Sequence, residues 1–439
     1  MSKISPKRRI WGWFFFDWSS QPYNTLLITF IFAPYVNELL GDGSAAQSAW
    51  GFGIGAAAFL TALAAPILGA SADLNGTRMR WMWVFSIMYV IGSLGVWLAA
   101  PGDFNLLLVL ILFAIGIIGM EMGTIFTNAM LPQLGSTEEI GRISGSGFAF
   151  GYLGGLIALV IMLLLFAENA KTGKTLIGLD PLFGLNAEER EGTRFVGPFS
   201  ALWYVVFMIP FFLWVRETPK PQAQKGGSLG DALSSLWGSI RALPQRPSLF
   251  SYLGASMLYR DGLTGMYAFG GIYASGVLGW SITKIGIFGI LAIVASAFFA
   301  WVGGYADKRF GPKPVIVFCV TILCFVAGSI IFITPTSLYG IEVGPDSAAP
   351  DIAFYILGSM IGAAGGVLQS ASRTMMVRQA HPDKMTEGFG LYALAGKATS
   401  FIAPISIGFV TTLSGSQQIG IAPLFVLFVL GLILLRWVR

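Results

Sequence analysis

The sequence predicts an all-α integral membrane protein whose twelve transmembrane helices fold as two six-helix bundles. Three observations predict it. Of 439 residues, 55% are hydrophobic and only 11% are charged, less than half the charged share of soluble domains, so a water-soluble fold could not cover its own core. Apolar runs long enough to cross a bilayer recur along the whole chain. One glycine–aspartate–base pattern recurs at the same place in each half. No dyad alternation of the outer-membrane barrel kind is present.

The expected spans run at 11–40, 49–72, 81–100, 106–130, 142–166, 197–215, 248–278, 283–305, 314–334, 351–377, 386–413 and 418–437. The first follows a basic tail, Lys3, Lys7, Arg8 and Arg9. Its apolar run is too long for a signal peptide and lacks a small-residue cleavage site. Connections then alternate in charge. The tail, 73–80, 131–142, 216–247, 306–313, 378–385 and the final Arg436 and Arg439 are basic; Glu38, Asp42, Asp103, Glu342 and Asp346 mark the opposite side. That bias places both termini in the cytoplasm. The loop at 167–196 has mixed charge and reads as a folded extracytoplasmic segment.

Residues 1–215 therefore form an amino-terminal bundle and residues 248–439 a carboxy-terminal one, joined by a cytoplasmic linker at 216–247. Within the linker, Gly226-Gly227 precede Ser228 and Asp231, which suit a helix start. Leu229, Leu233, Leu236, Trp237, Ile240 and Leu243 share one face, and Pro244 stops the run. This spacing predicts an amphipathic helix lying on the inner membrane surface. Cys319 and Cys324 fall inside one apolar run and read as buried small side chains. His381, the only histidine, sits in a charged loop. The net charge of +5 belongs to the loops and does not argue for nucleic acid.

After the second span comes Gly69-Ala70-Ser71-Ala72-Asp73, followed by Arg78 and Arg80. After the eighth comes Gly303-Gly304-Tyr305-Ala306-Asp307-Lys308-Arg309. Glycine lets two helices approach, the aspartate ends the span, and bases follow on the cytoplasmic side. Recurrence in both halves marks a parallel internal repeat.

Both copies resemble the loop between second and third spans of the major facilitator superfamily, G-x-x-x-D-R-x-G-R-K. The first departs from it at Leu74, where a base is usual, and the second has one extra residue before Gly311. A narrower likeness covers nearly the whole chain. It rests on Phe16-Asp17-Trp18-Ser19-Ser20 with Tyr23, Asn128-Ala129-Met130-Leu131-Pro132-Gln133, Gly141-Arg142-Ile143-Ser144-Gly145 and Gly151-Tyr152-Leu153-Gly154-Gly155. It continues in Tyr259-Arg260-Asp261-Gly262, Gln369 with Ser372-Arg373, and Phe389-Gly390-Leu391-Tyr392 with Gly396-Lys397. Together these resemble the vacuole-effluxer (autophagy-protein-22-like, "unknown major facilitator") family. The resemblance implies a major facilitator fold and transport. The family's best-described members are associated with amino-acid efflux from the vacuole, and many bacterial members have no assigned solute. It also implies a central cavity lined by the first, fourth, seventh and tenth spans, and gating by Gly69, Asp73, Arg78, Gly303, Asp307 and Arg309.

Each of those four spans carries charge. In the first, Asp17, Ser20, Gln21 and Asn24 share a helix face, and Pro22 frees a backbone carbonyl. In the fourth, Glu121, Thr124 and Asn128 form a second stripe. The seventh has Tyr259, Arg260, Asp261 and Tyr267; the tenth has Gln369 and Arg373. Charges facing lipid are costly, so these should meet one another or water. Asp17, Gln21, Asn24, Tyr259, Arg260, Asp261, Tyr267, Gln369 and Arg373 are the expected solute-binding set. Glu121, near mid-membrane, is the first candidate for proton coupling and Asp261 the second. Arg142 and Lys397 are expected in structural ion pairs, a role open to Asp17 and Arg373 too.

The function expected is a secondary transporter that moves a polar or zwitterionic small organic solute (an amino acid, short peptide or related metabolite) by alternating access, with the proton as coupling ion. The alternatives are a transporter or flippase of an amphiphilic or cell-wall-derived molecule and a non-transporting membrane receptor or partner subunit. An enzyme is not expected, because no nucleophile–base set, metal spacing or phosphate loop is present. Neither a cofactor nor a nucleic-acid partner is expected. The expected setting is a monomer among membrane lipid, in a bacterial cytoplasmic (inner) membrane.

Overall fold

The described residues are mostly helical, and a proline marks the first irregularity.

 

The computed structural model describes residues 4–40, 43–102, 104–216, 229–280, 282–344 and 347–439. Asp42, Asp103, Asp346, the Glu38 side chain, and linker residues 217–228 with Gly226, Gly227 and Ser228 lie outside the described residues. Helix α1 is Pro6–Pro22, capped by Ser5, whose hydroxyl accepts the Arg8 N–H at 3.4 Å. Pro22 has no N–H to continue the ladder. Past it, Tyr23–Phe30 take wider π-helical turns, and Phe32–Leu40 resume as α2. There follow α3 (Gly43–Asn75), α4 (Arg78–Gly95), α5 (Leu106–Asn128), α6 (Ile140–Leu165), the short α7 (Glu191–Arg194), α8 (Val196–Trp214) and α9 (Leu229–Ala242). The remainder is α10 (Pro247–Gly276), α11 (Ile282–Phe310), α12 (Pro312–Ile330), α13 (Ala349–Gln379), α14 (Met385–Ala398), α15 (Ile402–Ser414), α16 (Gln417–Gly420) and α17 (Ala422–Leu435).

Among the described residues, 10 helical stretches are long and apolar enough to cross a membrane. The stretch from α1 to α2 and helix α10 occupy the first and seventh expected spans. Between α12 and α13 lies a small antiparallel sheet, β1 (Ile333–Thr334), β2 (Ser337–Leu338) and β3 (Ile341–Glu342), which the sequence reading does not anticipate.

The chain divides into two compact units. One comprises Met1–Met130 and Phe150–Ala232, the other Leu131–Ala149 and Leu233–Arg439. In the first, glycines bring backbones together. A Cβ on Gly119 would lie 2.6 Å from the Phe85 carbonyl, so α4 and α5 cross at van der Waals limit there. In the second, a Cβ on Gly145 would lie 2.5 Å from the Ala300 carbonyl, and one on Gly366 2.7 Å from that of Ser296. Small residues at these crossings are how spanning helices pack where no hydrophobic force drives them together.

The loop at 167–196 is folded around a buried acid. Glu168 accepts from Arg190 Nε at 2.9 Å, from the Thr193 N–H at 3.0 Å and from the Thr193 hydroxyl at 2.7 Å. Arg194 ties the same loop to the Trp97 carbonyl at 2.7 Å. Helix α9 forms over the predicted stretch; Leu236 is buried while Leu233 and Trp237 are exposed. Glu168→Ala should cost about 1–3 kcal/mol, because it leaves the buried Thr193 N–H without its acceptor and takes the carboxylate from a partly buried Arg190. The expected outcome is a lower melting temperature in detergent, with Glu168→Ala far below an exposed-loop control, Glu188→Ala.

Candidate functional site

In the first unit, α1 seats its polar face on α6. A Cβ on Gly155 would lie 2.7 Å from Gln21 Cγ, and one on Gly151 3.0 Å from Asp17 Cβ. Beyond Pro22, the π-helical turns carry Asn24 to α5, where its amide donates to Met120 Sδ at 3.3 Å. The next residue on α5 is Glu121. Asn24 of the first stripe thus touches α5 one residue before Glu121. Asp17, Gln21, Glu121, Thr124 and Asn128 are partly exposed, and Asn24 is exposed. Asp17, Glu121 and Asn128 each make further polar interactions. Tyr23 is fully buried, its hydroxyl on the Phe113 carbonyl at 2.7 Å.

In the second unit, the eleventh span is broken. Helix α14 ends at Ala398 and α15 begins at Ile402. Arg260 and Asp261, neighbours on α10, hold the two pieces. Arg260 Nη1 donates to the Tyr392 carbonyl of α14 at 3.1 Å, and its guanidinium lies 4.3 Å from the Tyr392 ring centroid. A Cβ on Gly396 would lie 2.5 Å from that Nη1, so a side chain there would push the guanidinium aside. Asp261 is buried, and its Oδ2 accepts the Ala403 N–H at 2.9 Å. Ala403 sits in the first turn of α15, where N–H groups lack helical partners and a negative charge is favoured. Arg260 and Asp261 thus do not serve each other; each serves one side of the break.

The tenth span is held by hydroxyls. Tyr259, fully buried, shares a hydrogen bond of 2.8 Å with Ser372 Oγ, and Tyr252 donates to the Ser372 carbonyl at 2.6 Å. Tyr267 is half exposed and lies against α13 at Gly365. Gln369 is partly exposed. Arg373 is buried; its Nε donates to Ser144 Oγ at 3.0 Å and its Nη2 to the Ser144 carbonyl at 2.8 Å, over the Phe148 ring. Lys397, in the last turn of α14, is partly exposed. Arg142 pairs with Glu139 at 3.3 Å in a half-exposed contact.

The two loops of the internal repeat differ. Gly69 is buried, and Asp73 forms a buried salt bridge with Arg78 in its own loop. Gly303 packs on Val367, 2.5 Å from a built Cβ. Asp307 is buried beside Gly141, faced by Thr374 and Arg378, while Arg309 is exposed over the Phe310 ring. The sequence reading missed Ser144 and Tyr252 as partners and the break at 399–401. Tyr252 stands seven residues before Tyr259 on the same helix face, a signal that could have found it.

A sequence model of the family described as "Vacuole effluxer Atg22 like" matches residues 41–439. An "Uncharacterized MFS-type transporter YxiO" of Bacillus subtilis (strain 168) is 23% identical over 435 residues, covering 97% of this chain and 94% of that protein. "Autophagy-related protein 22-1" of Aspergillus niger is 25% identical over 312 residues, 67% of this chain and 45% of that protein. Among solved structures, the major facilitator transporter FucP in the outward conformation aligns with TM-score 0.70 at 15% identity over 98% of each chain. The proton:xylose symporter XylE aligns with TM-score 0.68 at 12% identity, over 98% of this chain and 94% of that one. At such identities the likeness is one of fold.

Asp261→Ala should destabilise the protein by about 1–3 kcal/mol, the cost of a buried N–H left without an acceptor. Asp261→Asn keeps an acceptor oxygen and should cost less. Hydrogen exchange at the Ala403 amide reads the difference directly: protection falls in the alanine variant and persists in the asparagine one.

Proposed function

Because this chain belongs to the vacuole effluxer Atg22 like family and is a secondary transporter of the major facilitator type, we propose that it carries a polar or zwitterionic small organic solute, such as an amino acid or short peptide, coupled to protons. The observation that carries this reading is the partly exposed set Asp17, Gln21, Asn24, Glu121, Thr124 and Asn128 on helices of the first unit. Carboxylates and amides on spanning helices are tolerated where they reach water or a polar ligand, not lipid. Amides and a carboxylate suit the amine and backbone-like groups of a zwitterion.

In this reading Glu121 exchanges the coupling proton, with Asp261 as the second candidate. Arg260, Asp261 and Arg373 act chiefly as positioning residues, since each is engaged with another helix. The loop-charge bias supports both termini on the cytoplasmic side of a bacterial inner membrane. The relative from Bacillus subtilis supports a bacterial setting; the family's name points to a vacuole for other members.

Purified protein in proteoliposomes, given a panel of labelled amino acids and short peptides, tests the solute class. Uptake should rise when a pH gradient is imposed. Glu121→Gln should reduce gradient-driven accumulation to the level seen without a gradient, while solute counterflow persists. Accumulation in Glu121→Gln that still follows the gradient would remove the residue from coupling. Indifference of the wild-type protein to the whole panel would remove the solute class.

A further inference from the structure

A cavity of about 730 Å³ opens where four helices of the second unit start or stop. It lies at the beginning of α10, the end of α13, the turn before α14 and the end of α17. Three guanidinium side chains, Arg246, Arg436 and Arg439, line it together with the imidazole of His381, and no carboxylate side chain does. None of the three arginines makes an ion pair among the described residues. His381 has Asp383 at 3.8 Å; the three guanidinium groups, without such a partner among the described residues, repel one another, and an anion lowers that cost.

The tail that carries two of these arginines is fastened in place. Ser248 Oγ accepts the Arg439 N–H at 2.9 Å, and Gln379 donates to the Arg439 carbonyl at 2.7 Å. Lys313 holds the Val438 carbonyl, and Val438 is buried. The arginines are thus presented by a fixed backbone. Apolar rings stand beside them: Trp437 in the cavity wall and Phe250 in the first turn of α10 are both more than half exposed. Helix α9 adds exposed Leu233 and Trp237 at the same end, tied to Lys384 through Ser235 and Ser239. Exposed aromatics beside basic groups at span ends are the composition of a membrane interface.

We propose that this cavity binds the phosphate of an anionic phospholipid from the cytoplasmic leaflet. Arginine forks match phosphate oxygens two at a time, and the neighbouring rings accept the acyl chains. A soluble phosphate would use the arginines and leave the rings idle.

The full-length protein in a neutral detergent is titrated with phosphatidylglycerol, phosphatidylcholine and inorganic phosphate. Saturable binding of phosphatidylglycerol, well above phosphatidylcholine and phosphate, is expected. A basic residue near an anionic headgroup contributes about fivefold in affinity, so Arg246→Gln/Arg436→Gln/Arg439→Gln together should lose roughly a hundredfold. The matching triple Arg→Lys keeps the charge but not the fork, so its affinity should fall between the glutamine triple and the wild type, which separates lost charge from lost fold. A control that removes three exposed charges elsewhere, Lys7→Gln/Arg8→Gln/Arg80→Gln, should bind as the wild type does. Equal loss in that control, or equal binding of the two lipids, overturns the site. Phosphate binding as tight as phosphatidylglycerol overturns the lipid assignment.

Discussion

An ionised side chain on a spanning helix must be met by protein or water, because hydrocarbon offers it nothing; the cost of leaving it unmet is about 2.5–3.5 kcal/mol even on the lenient scale. Arg260 and Asp261 show how this chain answers the constraint. Adjacent residues on a helix point about 100° apart, so the two cannot both turn inward to the same partner. The break in the eleventh span supplies two partners of opposite polarity. The guanidinium reaches the Tyr392 carbonyl and ring in α14, and the carboxylate caps the electropositive start of α15. Asp261 is thus met by the start of one helix, and Arg260 by a carbonyl and a ring in the body of the other.

The same constraint governs Arg373. Its guanidinium is buried, and two of its donors end on one serine, Ser144. Backbone proximity makes this possible. Gly141 and Gly145 let α6 run against α11, which brings Ser144 within reach of α13. Glycine at a crossing and arginine in a core are therefore one arrangement: removing the first would lift the serine away from the second.

Much of the fold was legible because its signals are local. Pro22 announces the change to π-helical turns, and the leucine and tryptophan spacing of 229–243 announces α9. The break at 399–401 had a signal that the sequence reading passed over: Pro404 has no N–H for the Ser400 carbonyl, and its ring crowds that carbonyl. Thr399 and Ser400 also turn their hydroxyls back onto the Ala395 and Lys397 carbonyls, at 3.4 and 3.0 Å. Such bonds compete with the helix only when a partner such as Asp261 stands ready to satisfy the new end. The two-residue strands at 333–342 are too short to show alternation. In the site, the charges announced themselves, but their partners did not: a serine reads as a lone small residue until Arg373, 229 residues later, is known to lie against it.

The internal repeat carries this point further. Asp73 and Asp307 occupy equivalent positions in the sequence, yet they are satisfied differently. Asp73 pairs with Arg78 inside its own loop, so that contact is kept when neighbouring helices shift. Asp307 has Lys308 and Arg309 next to it, but both are exposed. What surrounds its carboxyl comes from elsewhere: Gly141 of α6, which a side chain would drive into the carboxyl, and Thr374 and Arg378 of α13. Neither of its oxygens makes a hydrogen bond of normal geometry among the described residues. An ion pair within one loop does not depend on helix movement, whereas an acid surrounded by three helices changes its energy whenever they shift. The two copies of one motif therefore have unequal mechanical consequences, and a shift of α6 or α13 against α11 is felt at Asp307 first.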